Sequence, residues 1–235
     1  MSMDPAGSVS AALSSRRSVR AFTAQPVDDA VLQRVIARAS LAPSGGNLQP
    51  WHLYVLRGRV LDDLKTIMTE RVRAFPEGEA GHGEGVEYNI YPSPLQSPYK
   101  ERRVAFGEAL YGSLGIARDD AAARRAWHER NYRFFDAPVG LFCYVERGHG
   151  KPQWADLGMY LMSLMLLLRE EGLHSCPQEC WARYARSVDA YVQPAEGMML
   201  FCGVAIGHAD LSHSANQFPR QRAPVREFAT FLGDP

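Results

Sequence analysis

Apolar positions change period several times along this chain, and each change predicts an element. Val31, Leu32, Val35, Ile36 and Ala39 recur at helical spacing, with Asp28 placed to cap the first turn. That helix ends by Ala42-Pro43, because a residue before proline avoids the helical region. Val9 to Ser15 predicts a short helix running into a basic cluster. Trp51 to Leu56, rich in aromatic and β-branched residues, predicts a strand, and Arg59 to Ala74 a charged amphipathic helix. Lys100 to Arg133 is helical with a break at Gly112 to Gly115, and Trp181 to Tyr191 is a shorter helix.

Two segments are apolar without alternation. Pro138 to Val145 and Met198 to Ile206 therefore predict strands buried on both faces. Trp154 to Glu171 is apolar nearly all round, through Leu157, Tyr160, Leu161, Leu164, Met165 and Leu168, which predicts a central helix packed on two sides. Phe75 to Tyr99 holds four Gly and four Pro and predicts a long functional loop, so residues 75–103 form a lid-like insert. Residues 207–235 form a polar, irregular C-terminal extension. No linker divides the core segments, and 1–235 reads as one domain.

Composition narrows the function classes. The 26 basic and 26 acidic residues cancel, so the basic excess of a nucleic-acid binder is missing. With 46% hydrophobic and 22% charged residues the chain is globular rather than disordered. The longest apolar stretch, Leu157 to Leu168, is about half a bilayer span. The start MSMDPAGSVSAALSS lacks the basic end and apolar core of a secretory signal. The expectation is a soluble, cytoplasmic protein with no membrane or nucleic-acid partner. Cys143 and Cys202 sit in apolar runs as buried small hydrophobes, while Cys176 and Cys180 match neither zinc-knuckle nor CxxC spacing. The seven histidines are scattered, so no metal site is expected.

Most enzyme motifs are missing: no GxGxxG, Walker A, GxSxG, HExxH or EF-hand loop occurs. Glu170-Glu171 is an adjacent pair whose side chains point apart on a helix. Three separated segments carry the remaining chemistry. Arg16-Arg17-Ser18-Val19-Arg20 offers guanidinium forks and a hydroxyl suited to phosphate oxygens, or else a solvated basic turn. Pro43-Ser44-Gly45-Gly46-Asn47-Leu48-Gln49 lets backbone approach a ligand closely and offers amides that donate and accept, or else is an ordinary helix–strand turn. Arg220-Gln221-Arg222 projects two arginines to one side of an extended segment, or else is a solvated tail.

Taken together, these segments resemble the FMN-dependent nitroreductase family. SRRSVRAF, APSGGNLQPWHLYV, WADLGMYLMSLMLLLREEGLHSC, LFCGVAIGHAD and RQRAPVREF stand in the family's order and approximate spacing over nearly the whole chain. The insert YPSPLQSPYKERR and the segment FFDAPVGLFCYV resemble the subgroup acting on nitrobenzoates and related nitroaromatics. The resemblance implies an α+β fold, with a mixed central sheet surrounded by helices, in an intertwined homodimer with two FMN sites at the subunit interface. By motif position it implies Arg16, Arg17, Ser18, Arg20, Arg220 and Arg222 as phosphate and pyrimidine-side donors. Arg20 is the candidate for stabilising the reduced, anionic flavin. Pro43, Ser44, Gly45 and Asn47, joined by Gln49, correspond to the segment supplied by the partner chain.

Pro177, Gln178 and Glu179 correspond to the loop at the flavin N5 edge. Many relatives have Glu-Gly there, whereas this chain has Gln178-Glu179-Cys180, so Cys176 and Cys180 are candidate flavin neighbours with packing as the ordinary alternative. His174 reads as a loop histidine. The insert residues Tyr88, Tyr91, Tyr99, Arg102 and Arg103 are expected to shape the substrate pocket. Asn131 and Phe134 are further substrate candidates, with helix-end packing as the alternative. The implied activity is ping-pong: NADH or NADPH reduces FMN, then a nitroaromatic takes the same face, and no protein side chain is catalytic. Reductive dehalogenation, azoline oxidation, flavin destruction and flavin binding without turnover stay open as alternatives on the same fold.

Overall fold

The computed structural model describes residues 4–78 and 81–233. Residues 79–80 of the predicted insert, and 1–3 and 234–235 at the ends, lie outside the described residues. In chain order the elements are α1 (Val9–Ser15), α2 (Asp29–Ala39), β1 (His52–Arg57), α3 (Gly58–Ala74), the ribbon β2 (Glu77–Gly78) and β3 (Gly81–His82), α4 (Tyr99–Ser113), α5 (Ala121–Glu129), β4 (Val139–Glu146), α6 (Lys151–Glu170), β5 (His174–Gln178), α7 (Ala185–Val192) and β6 (Met198–Gly207). The predicted helix at Trp181 to Tyr191 divides into a tight turn, Glu179–Tyr184, and α7.

The main sheet runs β1-β4-β6-β5 and is antiparallel at every pairing. The parallel component implied by a mixed sheet is a single bridge, Ser18 to Ser175, beside β5. With neighbours on both sides, β4 sends alternate side chains into two cores. Val139, Leu141, Cys143 and Val145 face α6, whose Leu157, Tyr160, Leu164 and Leu168 pack against them. Phe142 and Tyr144 face the opposite way, into Leu61, Leu64 and Met68 of α3 with Phe134, Phe135 and Trp181. Leu32, Val35 and Ala39 of α2 join the first core, so α6 is covered on two sides as its apolar circumference requires. The exposed pairs Arg34–Glu171 at 2.8 Å and Arg38–Glu170 at 3.2 Å add little beyond that apolar contact.

β5 is the element that periodicity does not announce. Its HSCPQ sequence reads as loop, yet His174, Ser175, Cys176 and Gln178 are buried at the sheet edge. Pro177 is tolerated because an edge strand does not need every N–H for a ladder. His174 is therefore a buried strand residue, which corrects the loop reading.

α4 and α5 lie outside both main cores. Leu110 of α4 makes a separate cluster with Ala215 and Phe218 of the C-terminal extension. The start of the insert is pinned elsewhere, by the buried Glu84 carboxylate. It accepts from Arg71 Nε at 2.8 Å, from Ser187 Oγ at 2.6 Å and from the Ser187 N–H at 3.0 Å. The insert is thus held by α3 and α7, and the α4 that follows it by the extension.

Candidate functional site

After α1 the chain turns extended, and side chains alternate. Val19 and Ala21 are buried, while Arg16, Ser18 and Arg20 stand half-buried on the other side. The Val19 N–H donates to the Ser175 carbonyl at 3.1 Å, fastening this segment to β5. The C-terminal extension folds back onto it from some two hundred residues away. Arg17 donates to the Phe218 carbonyl, and Arg220 donates to the carbonyls of Arg16 and Ser14. Asn216 adds the Arg20 N–H at 2.8 Å and the Ala21 carbonyl at 2.9 Å. These contacts build a cleft of about 870 Å³ into which Arg16, Arg17, Ser18, Arg20, Arg220 and Arg222 all face.

The cleft concentrates positive charge. The Arg16 guanidinium is held below its ordinary value first by burial and then by Arg220 and Arg222. Arg17 is lowered likewise, by burial and then by Arg220 and Arg20. Among the described residues no carboxylate pairs with any of these five arginines, and Glu227 at the rim is engaged by Arg102 at 2.6 Å. Mutual repulsion of this kind is relieved by an anion with several acceptor oxygens, so the donor set fits a phosphate monoester. Phe106 and Phe218 add aromatic wall beside the charges.

A second cleft, of about 970 Å³, meets the first at Arg20 and Phe106, which line both. Pro177, Gln178, Glu179 and Cys180 line it, with α4 and α5 opposite. Gln178 is buried, and its Nε2 donates to the carbonyl of Asn131 at 2.8 Å and to Asn131 Oδ1 at 3.2 Å. Asn131 is thereby oriented by the strand that carries the predicted N5-edge loop. Arg103 and Asn131 line this cleft, as does Tyr91.

The Pro43-to-Gln49 turn lies elsewhere and lines neither cleft of its own chain. Its conformation is unusual: Gly46, Asn47 and Gln49 have φ of 57°, 56° and 50°. Left-handed backbone at two non-glycine residues is costly and persists only where surroundings enforce it. Ser44 Oγ accepts the Gln49 N–H at 2.9 Å, and the buried Asp156 carboxylate of α6 accepts the Gly45 N–H at 3.2 Å. Pro43, Gly45, Asn47 and Gln49 are left exposed and Ser44 half-buried.

Other predicted residues fall outside the clefts. Phe134 is wholly buried and lines neither; its ring is 4.6 Å from Trp181, and it occupies the space a Cβ at Gly140 would need, 2.7 Å away. Within this chain it packs in the core, which is the helix-end packing alternative to a substrate contact. Tyr99 is exposed at the start of α4 with Arg102 over its ring, and Tyr88 packs on Trp154 and Phe201. Cys176 is buried and its thiol pushed up by burial, whereas Cys180 is half-buried at the second cleft. Sequence reasoning missed Asn216 and Arg124. A lone buried amide has no periodic signature, and Arg124 stands out only once Tyr111 lies beneath it.

The described residues contain no cluster of His, Cys, Asp or Glu that could hold a metal ion, and no helix long and apolar enough to cross a membrane. The model of the Nitroreductase family matches residues 13–208. The crystal structure of the FMN and NADPH-dependent nitroreductase NfnB from Sphigopyxis sp. strain HMH is similar at 49% identity and a TM-score of 0.91, covering 97% of this chain and 100% of that one. The nitrobenzene nitroreductase of Ectopseudomonas oleovorans is 35% identical over 92% of this chain and 93% of its own length. The 4-nitrobenzoate reductase of Nocardioides sp. (strain LMS-CY) is 35% identical over 93% of this chain and 87% of its own.

Proposed function

The chain belongs to the nitroreductase family, and on that premise we propose that it is an FMN-dependent, NAD(P)H-driven reductase of nitroaromatic compounds. The observation that carries this reading is the meeting of two clefts at Arg20. One is an arginine cluster with no paired carboxylate among the described residues; the other is a roomy, aromatic-walled space against Pro177 to Cys180. We assign the FMN phosphate to Arg16, Arg17, Ser18, Arg220 and Arg222, and the pyrimidine edge to Arg20, whose guanidinium is placed to balance negative charge there. Bound FMN would supply hydride transfer between the nicotinamide donor and the nitro acceptor. Pro177, Gln178 and Glu179 would present the N5 edge to the open cleft, with Arg103 and Asn131 on the substrate side. No protein acid or base is required in this reading.

The exposed Pro43-to-Gln49 turn supports a homodimer in which Pro43, Ser44, Gly45, Asn47 and Gln49 serve the partner's flavin. A costly conformation that faces no cleft of its own chain is explained by a site in trans. The two cores share one sheet, which supports reading 1–235 as one domain. Four free cysteines agree with a cytoplasmic location.

Purified protein should be yellow, bleach anaerobically on NADPH addition and recolour on nitrobenzene. Flavin that bleaches but is not reoxidised by any nitroarene would remove the acceptor assignment. A stable, fully FMN-loaded monomer in sedimentation would remove the dimeric site.

A further inference from the structure

The cleft against Pro177 to Cys180 carries more positive charge than a neutral nitroarene uses, and the charge is spaced. Lys100, Arg103, Gly107 and Tyr111 recur at three- and four-residue intervals and line the cleft from one face of α4. The Arg103 guanidinium lies 4.3 Å from the centroid of Tyr91, and that of Arg124 lies 3.9 Å from the centroid of Tyr111. A guanidinium stacked on a ring keeps its N–H edge available for an anion. Among the described residues no carboxylate pairs with Lys100, Arg103 or Arg124, whereas Arg118 in the same cleft is neutralised by Glu108 at 3.2 Å.

Arg103 and Tyr111 are eight residues apart, about 12 Å along the helix axis. Lys100 and Arg103 therefore form a cationic pair at the first turn of α4, and the Arg124 guanidinium lies over Tyr111 two turns further along. A neutral one-ring acceptor makes no use of these cations. A dinucleotide that carries a phosphate monoester beside a pyrophosphate bridge matches the charge. A terminal phosphate monoester carries close to two charges near neutral pH, and each phosphate of a pyrophosphate bridge carries one. The cationic pair therefore suits the monoester.

We propose that Lys100 and Arg103, with Tyr91 beneath, read the adenosine 2′-phosphate of NADPH, that Arg124 on Tyr111 holds the pyrophosphate, and that the chain consequently selects NADPH over NADH. The inference rests on the reductase reading and adds the identity of the donor and the residues that choose it.

The test is equilibrium binding of 2′,5′-ADP and 5′-AMP to the FMN-loaded dimer by calorimetry, since the two probes differ only in the 2′-phosphate. The parent should bind 2′,5′-ADP at least about tenfold more tightly. Arg103→Gln and Lys100→Gln should each pull that ratio toward one, while Arg124→Gln should weaken both probes in similar proportion. In stopped-flow bleaching, the NADPH-to-NADH ratio of kcat/KM should fall about tenfold in Arg103→Gln. A parent that does not distinguish the probes overturns the proposal. So does an Arg103→Gln variant that loses both probes alike, or one whose only loss is for 4-nitrobenzoate against nitrobenzene. In each of those cases the bleached and recoloured flavin leaves the reductase reading standing. If neither donor bleaches the flavin, reading and inference fall together.

Discussion

The side chain of Asn216 holds the backbone of Arg20: its Oδ1 accepts the Arg20 N–H at 2.8 Å, and its Nδ2 donates to the carbonyls of Ala21 at 2.9 Å and Asp210 at 2.8 Å. One buried amide thus ties the extension to the segment whose arginine joins the two clefts. Asn216→Ala leaves the Arg20 N–H and the Asp210 carbonyl without partners, at about 1–3 kcal/mol for each group that stays dry, while the Ala21 carbonyl keeps the Asp210 N–H at 3.0 Å. We expect a loss of about 2–4 kcal/mol in denaturant unfolding. Added FMN should recover part of it, because the ligand binds only the folded form. An unchanged midpoint would show that the extension is not fastened through Asn216.

Arg220 and Arg222 should separate in their effects. Arg220 is committed to the carbonyls of Arg16 and Ser14, whereas the Arg222 side chain's contact is with its neighbour Gln221, at 2.7 Å. Arg222→Gln should therefore weaken FMN binding at least about tenfold while leaving the apoprotein's unfolding midpoint nearly unchanged. Fluorescence titration of FMN beside apoprotein melting checks both halves. Equal FMN affinity in variant and parent would take Arg222 out of the phosphate site.

Phe134 should matter for folding rather than for substrate choice. Its ring fills the space between Gly140, Phe142 and Trp181. Phe134→Ala should cost about 3–5 kcal/mol of stability. Among molecules that remain folded and FMN-loaded, the preference among nitroarenes should not move. A changed preference at unchanged stability would return Phe134 to the substrate site.

Burial holds the His208 imidazole below its ordinary value of 6.5. The unfolded chain then takes up a proton there more readily than the folded one as pH falls. The contribution to stability is fully present above the ordinary value and is lost as pH drops through it toward the depressed folded value. Parent protein should lose more stability than His208→Gln between pH 7.5 and pH 5, read as the difference of denaturant midpoints at each pH. Parallel pH profiles would show that His208 is not a buried, neutral group.

How much of this was legible in the chain depended on whether a residue belongs to a repeating pattern. α2, α6, β4 and β6 lie where apolar periodicity predicts them, to within a few residues. Burying one face or both imposes a period, and that period survives in the sequence. The ordered motifs carried the family and the two arginine clusters, since like charges gathered within a few positions repel and are visible in the sequence as a run. β5 was not legible: its buried residues are mostly polar, and they are placed by pairing along β6 and by Asn131 rather than by alternation. Phe134 carried two readings in the sequence, because position near a helix end does not reveal which way a ring turns; in the fold it is buried.

By itself, then, the sequence determined the helices and strands of the two cores apart from β5, the neutral overall charge and the clustering of arginines at Arg16 to Arg20 and Arg220 to Arg222. Each of these depends on neighbours a few positions away. Only the tertiary structure decided that the extension returns across some two hundred residues to complete a cleft, and that Pro43 to Gln49 does not join it within one chain. It also decided that Arg103 and Arg124 lie over the rings of Tyr91 and Tyr111, with no carboxylate paired to either among the described residues. Those outcomes depend on which distant groups satisfy a buried donor or neutralise a charge. Such pairing is a property of the folded arrangement, with no period in the chain to record it.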